Sequence, residues 1–196
     1  VPVNANYAVD ASELDAEDID AERVRKLKTI IAVDIDETDY GYVHYRAAKL
    51  LCSWGYECGF KMLSQYIFRE DLMETRCFEQ HRLWPYNDTY RLTLMAVIDY
   101  HNKLYDRGRK IEARELIKSN VIKIINYSNF MPFQIDDSFN LVKFNCYEEY
   151  KPHFIEHLSA IIDHIDIHRW KIFDALRFVN TFDPEFVSSL LNARGK

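Results

Sequence analysis

Apolar residues recur along most of this chain at helical spacing and seldom alternate as they would in a strand. From about residue 12 to 32, Leu14, Val24, Leu27, Ile30 and Ile31 mark one side of a helix. Ser12 is its candidate N-cap, acidic residues fill the first turn, and Arg23 to Lys28 fall late in the segment. That is the charge order a helix dipole favours. Residues 34–41 read as a loop. The strongest signal follows, because Val43, Ala47, Leu50, Leu51, Trp54, Cys58 and Met62 share an arc of roughly 120° at 100° per residue. Gly55 and Gly59 sit four apart in that segment, where they either weaken the helix or admit a neighbouring helix at close range. Close packing is the expectation.

Residues 70–83 predict a short charged helix ending before Trp84-Pro85, and Asn87-Asp88-Thr89 supplies caps for the next one. In that helix Tyr90, Leu94, Val97, Ile98, His101, Leu104 and Tyr105 again share an arc of about 120°, and Gly108 stands where a C-cap glycine would. Arg109 to Asn126 begins as a helix and ends in Val121 to Ile125, a β-branched run that suits a buried strand equally well. Pro132 breaks the element, and Asp136 to Cys146 is short and aromatic. Helices are expected from Pro152 to about Ile165 and from about His168 to Asn180. A last one opens on Asp183-Pro184-Glu185 and carries Phe186, Val187, Leu190 and Leu191.

Composition supports the same reading. The 196 residues include only 5 Gly and 5 Pro, whereas a sandwich or barrel of short strands needs a turn about every 8–12 residues. The expectation is an all-α fold, a single domain of about seven or eight packed helices over residues 12–196, behind an acidic flexible lead-in over residues 1–11. A charge of −6 and a pI of 5.7 argue against a dedicated nucleic-acid binder, which carries a basic footprint. The basic runs at 23–28 and 107–110 read as solvated helix ends. Cys52, Cys58, Cys77 and Cys146 form no CxxC pair, so they read as reduced thiols of the cytoplasm or nucleus. No apolar run approaches the roughly 20 residues of a membrane span, and a start at Val1 suggests a piece of a longer protein.

Two constellations carry possible chemistry. Thr29 to Val33 followed by Asp34-Ile35-Asp36-Glu37-Thr38 resembles the first motif of the haloacid dehalogenase-like phosphatases, an apolar strand that delivers DxDx[TV]. The resemblance implies a magnesium-dependent phosphatase with Asp34 as nucleophile and Asp36 as acid/base. Ser128 would be its second-motif hydroxyl, and Asp136 and Asp137 its metal-binding pair. It also implies five parallel strands, of which at most two can be found, and a lysine that Asn129 to Asp136 does not contain. The second constellation is His153, His157, His164 and His168, which lie within roughly 60° of one another on a continuous helix. Pairs four apart can reach one zinc, but a site needs further ligands, and boundary residues or a partner-contacting edge explain the stripe as well.

No GxSxG, HExxH, Walker or GxGxxG motif is present. Packing accounts for Cys52, Cys58 and Met62. The expectation is therefore a non-catalytic protein–protein interaction or dimerisation module of a larger intracellular assembly. It would use no cofactor or metal, take no small-molecule substrate, and bind a partner's helix or peptide, or itself. The Mg²⁺-dependent phosphatase is the alternative. The aromatic, proline-containing stretches between helices either plug the core or anchor a partner. The predicted contact residues are Trp84, Tyr86, Tyr127, Phe130, Phe133, Phe186 and Leu190.

Overall fold

A computed structural model describes residues 10–37, 41–69, 79 and 87–195 of the chain. The all-α class is what forms: among the described residues there are ten α-helices, three single 3-10 turns and no strand. The helices gather into two compact units, residues 1–120 and 121–196. More helices form than expected, partly because the long 43–62 segment is cut in two. In addition Asp136–Asn145 folds as a helix, and Ile165–His168 adds a single turn. The predicted helix at 70–83 lies outside the described residues apart from Glu79, and the lead-in lies outside them up to residue 9.

In the first unit, helix α1 spans Ala21–Ile31, α2 Gly41–Ser53, α3 Glu57–Phe68 and α4 Thr89–Asp106. Helix α5, Lys110–Tyr127, contributes residues to both units. The start of α1 corrects the Ser12 assignment. Asp10 takes the Ser12 N–H at 2.9 Å and closes a 3-10 turn, and Asp20 is the true N-cap, accepting the Glu22 N–H at 3.0 Å. Short acidic side chains compete for backbone donors and hold this stretch in separate turns. The stretch is still anchored: Leu14 is fully buried, and Trp54 Nε1 donates to the Ala11 carbonyl at 2.7 Å.

The apolar arc of residues 43–62 belongs to two helices, α2 and α3. Gly55 takes a positive φ of 79° and ends α2, and α3 begins two residues later. Gly59 supplies the close approach: a Cβ there would lie 2.4 Å from the Cys52 backbone N and 2.5 Å from Leu51 Cβ. Leu51, Ala47, Ala48 and Trp54 pack with Leu14, Val24 and Ile31 in one core, each large apolar side chain contributing about 1.5–3 kcal/mol. Helix α4 ends as expected, with Gly108 at φ 77° and the Arg109 N–H returned to the Leu104 carbonyl at 3.0 Å. The ambiguous Val121–Ile125 run is helical, within α5.

The second unit holds the rest of α5, then α6 Asp136–Asn145, α7 Lys151–Ile161, α8 Ile165–His168, α9 Lys171–Asn180 and α10 Pro184–Asn192. Phe139, Phe154 and Phe178 form its aromatic centre, with ring centroids 4.4–5.2 Å apart. The start of α10 is as read from the sequence, with Pro184 in its first turn and Asp183 accepting the Phe186 N–H at 3.0 Å.

Candidate functional site

A concavity of the first unit lies where α1 and α3 both end. Helix α1 stops at Ile31, and the Ala32 N–H returns to the Lys28 carbonyl. A tight turn follows, in which Asp34 Oδ1 accepts the Asp36 N–H at 2.9 Å and the Asp34 carbonyl accepts the Glu37 N–H at 3.1 Å. Ile35 is pulled inward by this turn, leaving Val33 47% exposed. A buried histidine fixes the wall: His44 Nε2 lies 3.1 Å from the Val33 carbonyl and Nδ1 3.0 Å from the Tyr66 hydroxyl. A carbonyl only accepts, so Nε2 carries a proton, and the Tyr66 hydroxyl lies within hydrogen-bond reach of both His44 Nδ1 and the Gly41 carbonyl, the latter at 3.2 Å. Tyr66 is itself buried, edge-on to Tyr45 at 5.6 Å.

Between this wall and the last two turns of α3 runs an open groove of about 560 Å³, with Ile31, Val33, Met62 and Phe68 as its apolar surface. Phe68 is 52% exposed, a large ring for an aqueous face. Asp34, Asp36, Gln65 and Arg69 also line the groove. Arg69 is bidentate on Asp36, with Nη2 3.0 Å from Oδ1 and Nη1 3.3 Å from Oδ2, and both side chains are about half exposed. No cation pairs with Asp34 among the described residues. The carboxyl ends of α1 and α3 also meet at the groove, and each carries about half a negative charge. Among the described residues the groove therefore combines an apolar bed with an excess of negative charge.

The phosphatase resemblance meets a different local structure. Thr29 to Ile31 close helix α1, and Asp34 and Asp36 sit in a turn after a helix, with no strand to present them. Thr38 lies outside the described residues. Ser128 belongs to the second unit, where it is buried just past α5 and donates to the Ile125 carbonyl at 2.6 Å. Asp136 and Asp137 open α6. No group of three or more His, Cys, Asp or Glu able to hold a metal ion occurs among the described residues.

The aromatic residues expected to meet a partner are dispersed. Trp84 and Tyr86 lie outside the described residues. Tyr127 and Phe133 are buried at 5% and 2% exposure, so they plug the core. Phe130, three residues past the end of α5, is 81% exposed, and Phe186 and Leu190 are half-buried on α10. None of the five described residues is among those lining the groove. Val33, Met62 and Phe68 were missed as contacts because their juxtaposition exists only after α1 and α3 converge. The one visible signal was the acidic pair Asp34 and Asp36, read there as chemistry.

The histidine stripe is broken by the turn at residues 162–164, which separates α7 from α8. His157 and His168 are buried, whereas His164 is exposed. His157 Nδ1 lies 2.7 Å from Asn129 Oδ1 and 3.1 Å from Ser128 Oγ. Burial, with a smaller contribution from His168, pushes His157 down to about 3, and burial likewise lowers His168. Both line a cavity of about 10 Å³ beside Phe133, Phe139 and Lys171, room for about one water. These two imidazoles are neutral packing groups at ordinary pH.

The basic runs are engaged locally: Arg25 pairs with Glu22 at 2.6 Å, Arg109 pairs with Glu112, and Lys28 lies over Tyr56. Among the described residues no helix is long and apolar enough to cross a membrane. Fold and site together define an all-α protein bearing an open, acid-rimmed apolar groove. Comparison with known protein families, with characterised proteins and with solved structures finds no match to this chain.

Proposed function

We propose that this chain is a non-catalytic interaction module that accepts a helix or short peptide of another protein in the groove between the ends of α1 and α3. It would do so within a larger intracellular assembly. The observation that carries this reading is the groove itself: about 560 Å³, open to solvent, with Val33 and Phe68 half exposed against Met62 and Ile31. Exposed apolar patches rimmed by polar groups mark binding surfaces, and amphipathic helices dock into such grooves through side chains one turn apart. The turn at Asp34 and Asp36 serves as a wall here, and its carboxylates act as charges that face the partner.

The test is affinity purification of the intact protein with mass spectrometry, run alongside a double variant, Val33→Ser with Phe68→Ser. Both positions are half exposed, so the variant should keep its circular dichroism spectrum while losing the co-purifying protein. Retention of the same partner at full yield would sink the groove reading. Turnover of phosphate monoesters in Mg²⁺, abolished by Asp34→Asn, would replace it with the phosphatase. Light scattering on the purified chain separates a foreign partner from a second copy.

A further inference from the structure

We infer that the occupant of the groove is a cationic amphipathic segment of a partner protein, with an apolar side chain seated among Val33, Met62 and Phe68 and a neighbouring Lys or Arg held at Asp34. This rests on the interaction reading above and adds the chemistry of the partner. Two independent features set the sign of the charge. Asp34 and Asp36 both line the groove, against a single cation there among the described residues, Arg69. That guanidinium is already committed to Asp36, so the second carboxylate is left over. The carboxyl ends of α1 and α3 add two negative dipole ends at the same place.

The Arg69–Asp36 pair has a role in this arrangement. It spans from the turn after α1 to the residue that caps α3, and at roughly half exposure on both sides it contributes little to stability. A guanidinium or ammonium from the partner can therefore enter beside it, or replace it on Asp36, at small cost. An acidic partner would have to face Asp34 and both helix ends with Arg69, the one lining cation among the described residues and already paired, in its favour. The apolar bed supplies the affinity and the rim selects the sign, the usual division between buried contacts and surface charge.

Two synthetic amphipathic peptides of about 15 residues distinguish the possibilities. They share one Leu/Phe face and carry either Lys and Arg or Glu on the flanks. Binding is read as shifts in the backbone amide resonances of residues 31–37 and 62–69 on titration into the ¹⁵N-labelled full chain. The basic peptide should move these resonances, bind more weakly as salt is raised, and lose about two- to five-fold in affinity with Asp34→Asn. Equal or tighter binding of the acidic peptide in the same groove would overturn the inference while leaving the module reading intact. So would an unchanged affinity in Asp34→Asn. If neither peptide moves the groove resonances, the inference fails. The module reading then stands only if Val33→Ser with Phe68→Ser still removes the co-purifying protein.

Discussion

The groove of the first unit and the histidine pair of the second handle polar groups in opposite ways. At the groove, the ion-paired side chains stay in contact with water: Asp36 and Arg69 are 58% and 43% exposed as side chains. Around His157 the polar groups are sealed, and the imidazole keeps its place by giving up its charge. Buried neutral hydrogen bonds specify how a unit packs, whereas exposed charges around an apolar bed specify what else can come close. Chemistry-bearing residue types occur at both places, and burial decides which of them face outward.

The largest test of this contrast is acid. Because the folded pKa of His157 lies far below its unfolded value of about 6.5, the unfolded chain binds more protons as pH falls. The stability that His157 contributes is therefore complete above about pH 6.5 and is lost as pH drops towards 3. With the folded value at about 3, the full loss is on the order of 5 kcal/mol, of which about 2 kcal/mol is gone by pH 5. Hydrogen exchange of α7 amides, measured from pH 7 to pH 4 after correction for intrinsic rates, should show this fall. His157→Gln should flatten it. A slope that the substitution leaves unchanged would mean that the imidazole is not sealed from solvent.

Much of the helical order was legible because local patterns determine it. Scarce Gly and Pro, the arcs through α2 and α4, Gly108 beyond α4 and Asp183-Pro184 before α10 act within a few residues of where they are written. The interruptions were hidden for a physical reason. Trp54 and Cys58 keep the apolar phase of α2 across the turn at Gly55, so the stripe looks continuous although the chain changes direction. His157 and His168 also share a helical face on paper, yet α8 starts a new axis after residue 164. The groove could not be read at all from local pattern, since it joins residues 31–36 to residues 62–69. What remained visible was Asp34-x-Asp36, whose spacing serves a tight turn as readily as it serves catalysis.

The next test bears on the wall of the groove. His44→Ala removes the ring that joins the Val33 carbonyl to the Tyr66 hydroxyl, leaving the buried hydroxyl of Tyr66 to the Gly41 carbonyl at 3.2 Å. A broken buried hydrogen-bond pair costs about 1–3 kcal/mol, read as a lower urea midpoint at unchanged m-value. If the groove depends on this ring, the basic peptide should also weaken. A variant that loses stability but keeps its peptide affinity would show that the turn at Asp34 and Asp36 holds its shape without the histidine.

The smallest effect on stability carries the sharpest information about the groove. Arg69→Gln dissolves a half-exposed ion pair that is worth no more than about 1 kcal/mol, so the melting temperature should move by less than about 4 °C. The substitution also leaves Asp36 without its internal cation, which raises the negative field over the apolar bed. Affinity for the basic amphipathic peptide should then rise by about two- to five-fold, with the gain shrinking as salt is added. The two readouts run in opposite directions for a latch that occupies the partner's place. A fall in affinity would instead mean that the Arg69–Asp36 pair holds the groove in its binding shape, and the latch reading of Arg69 would be lost.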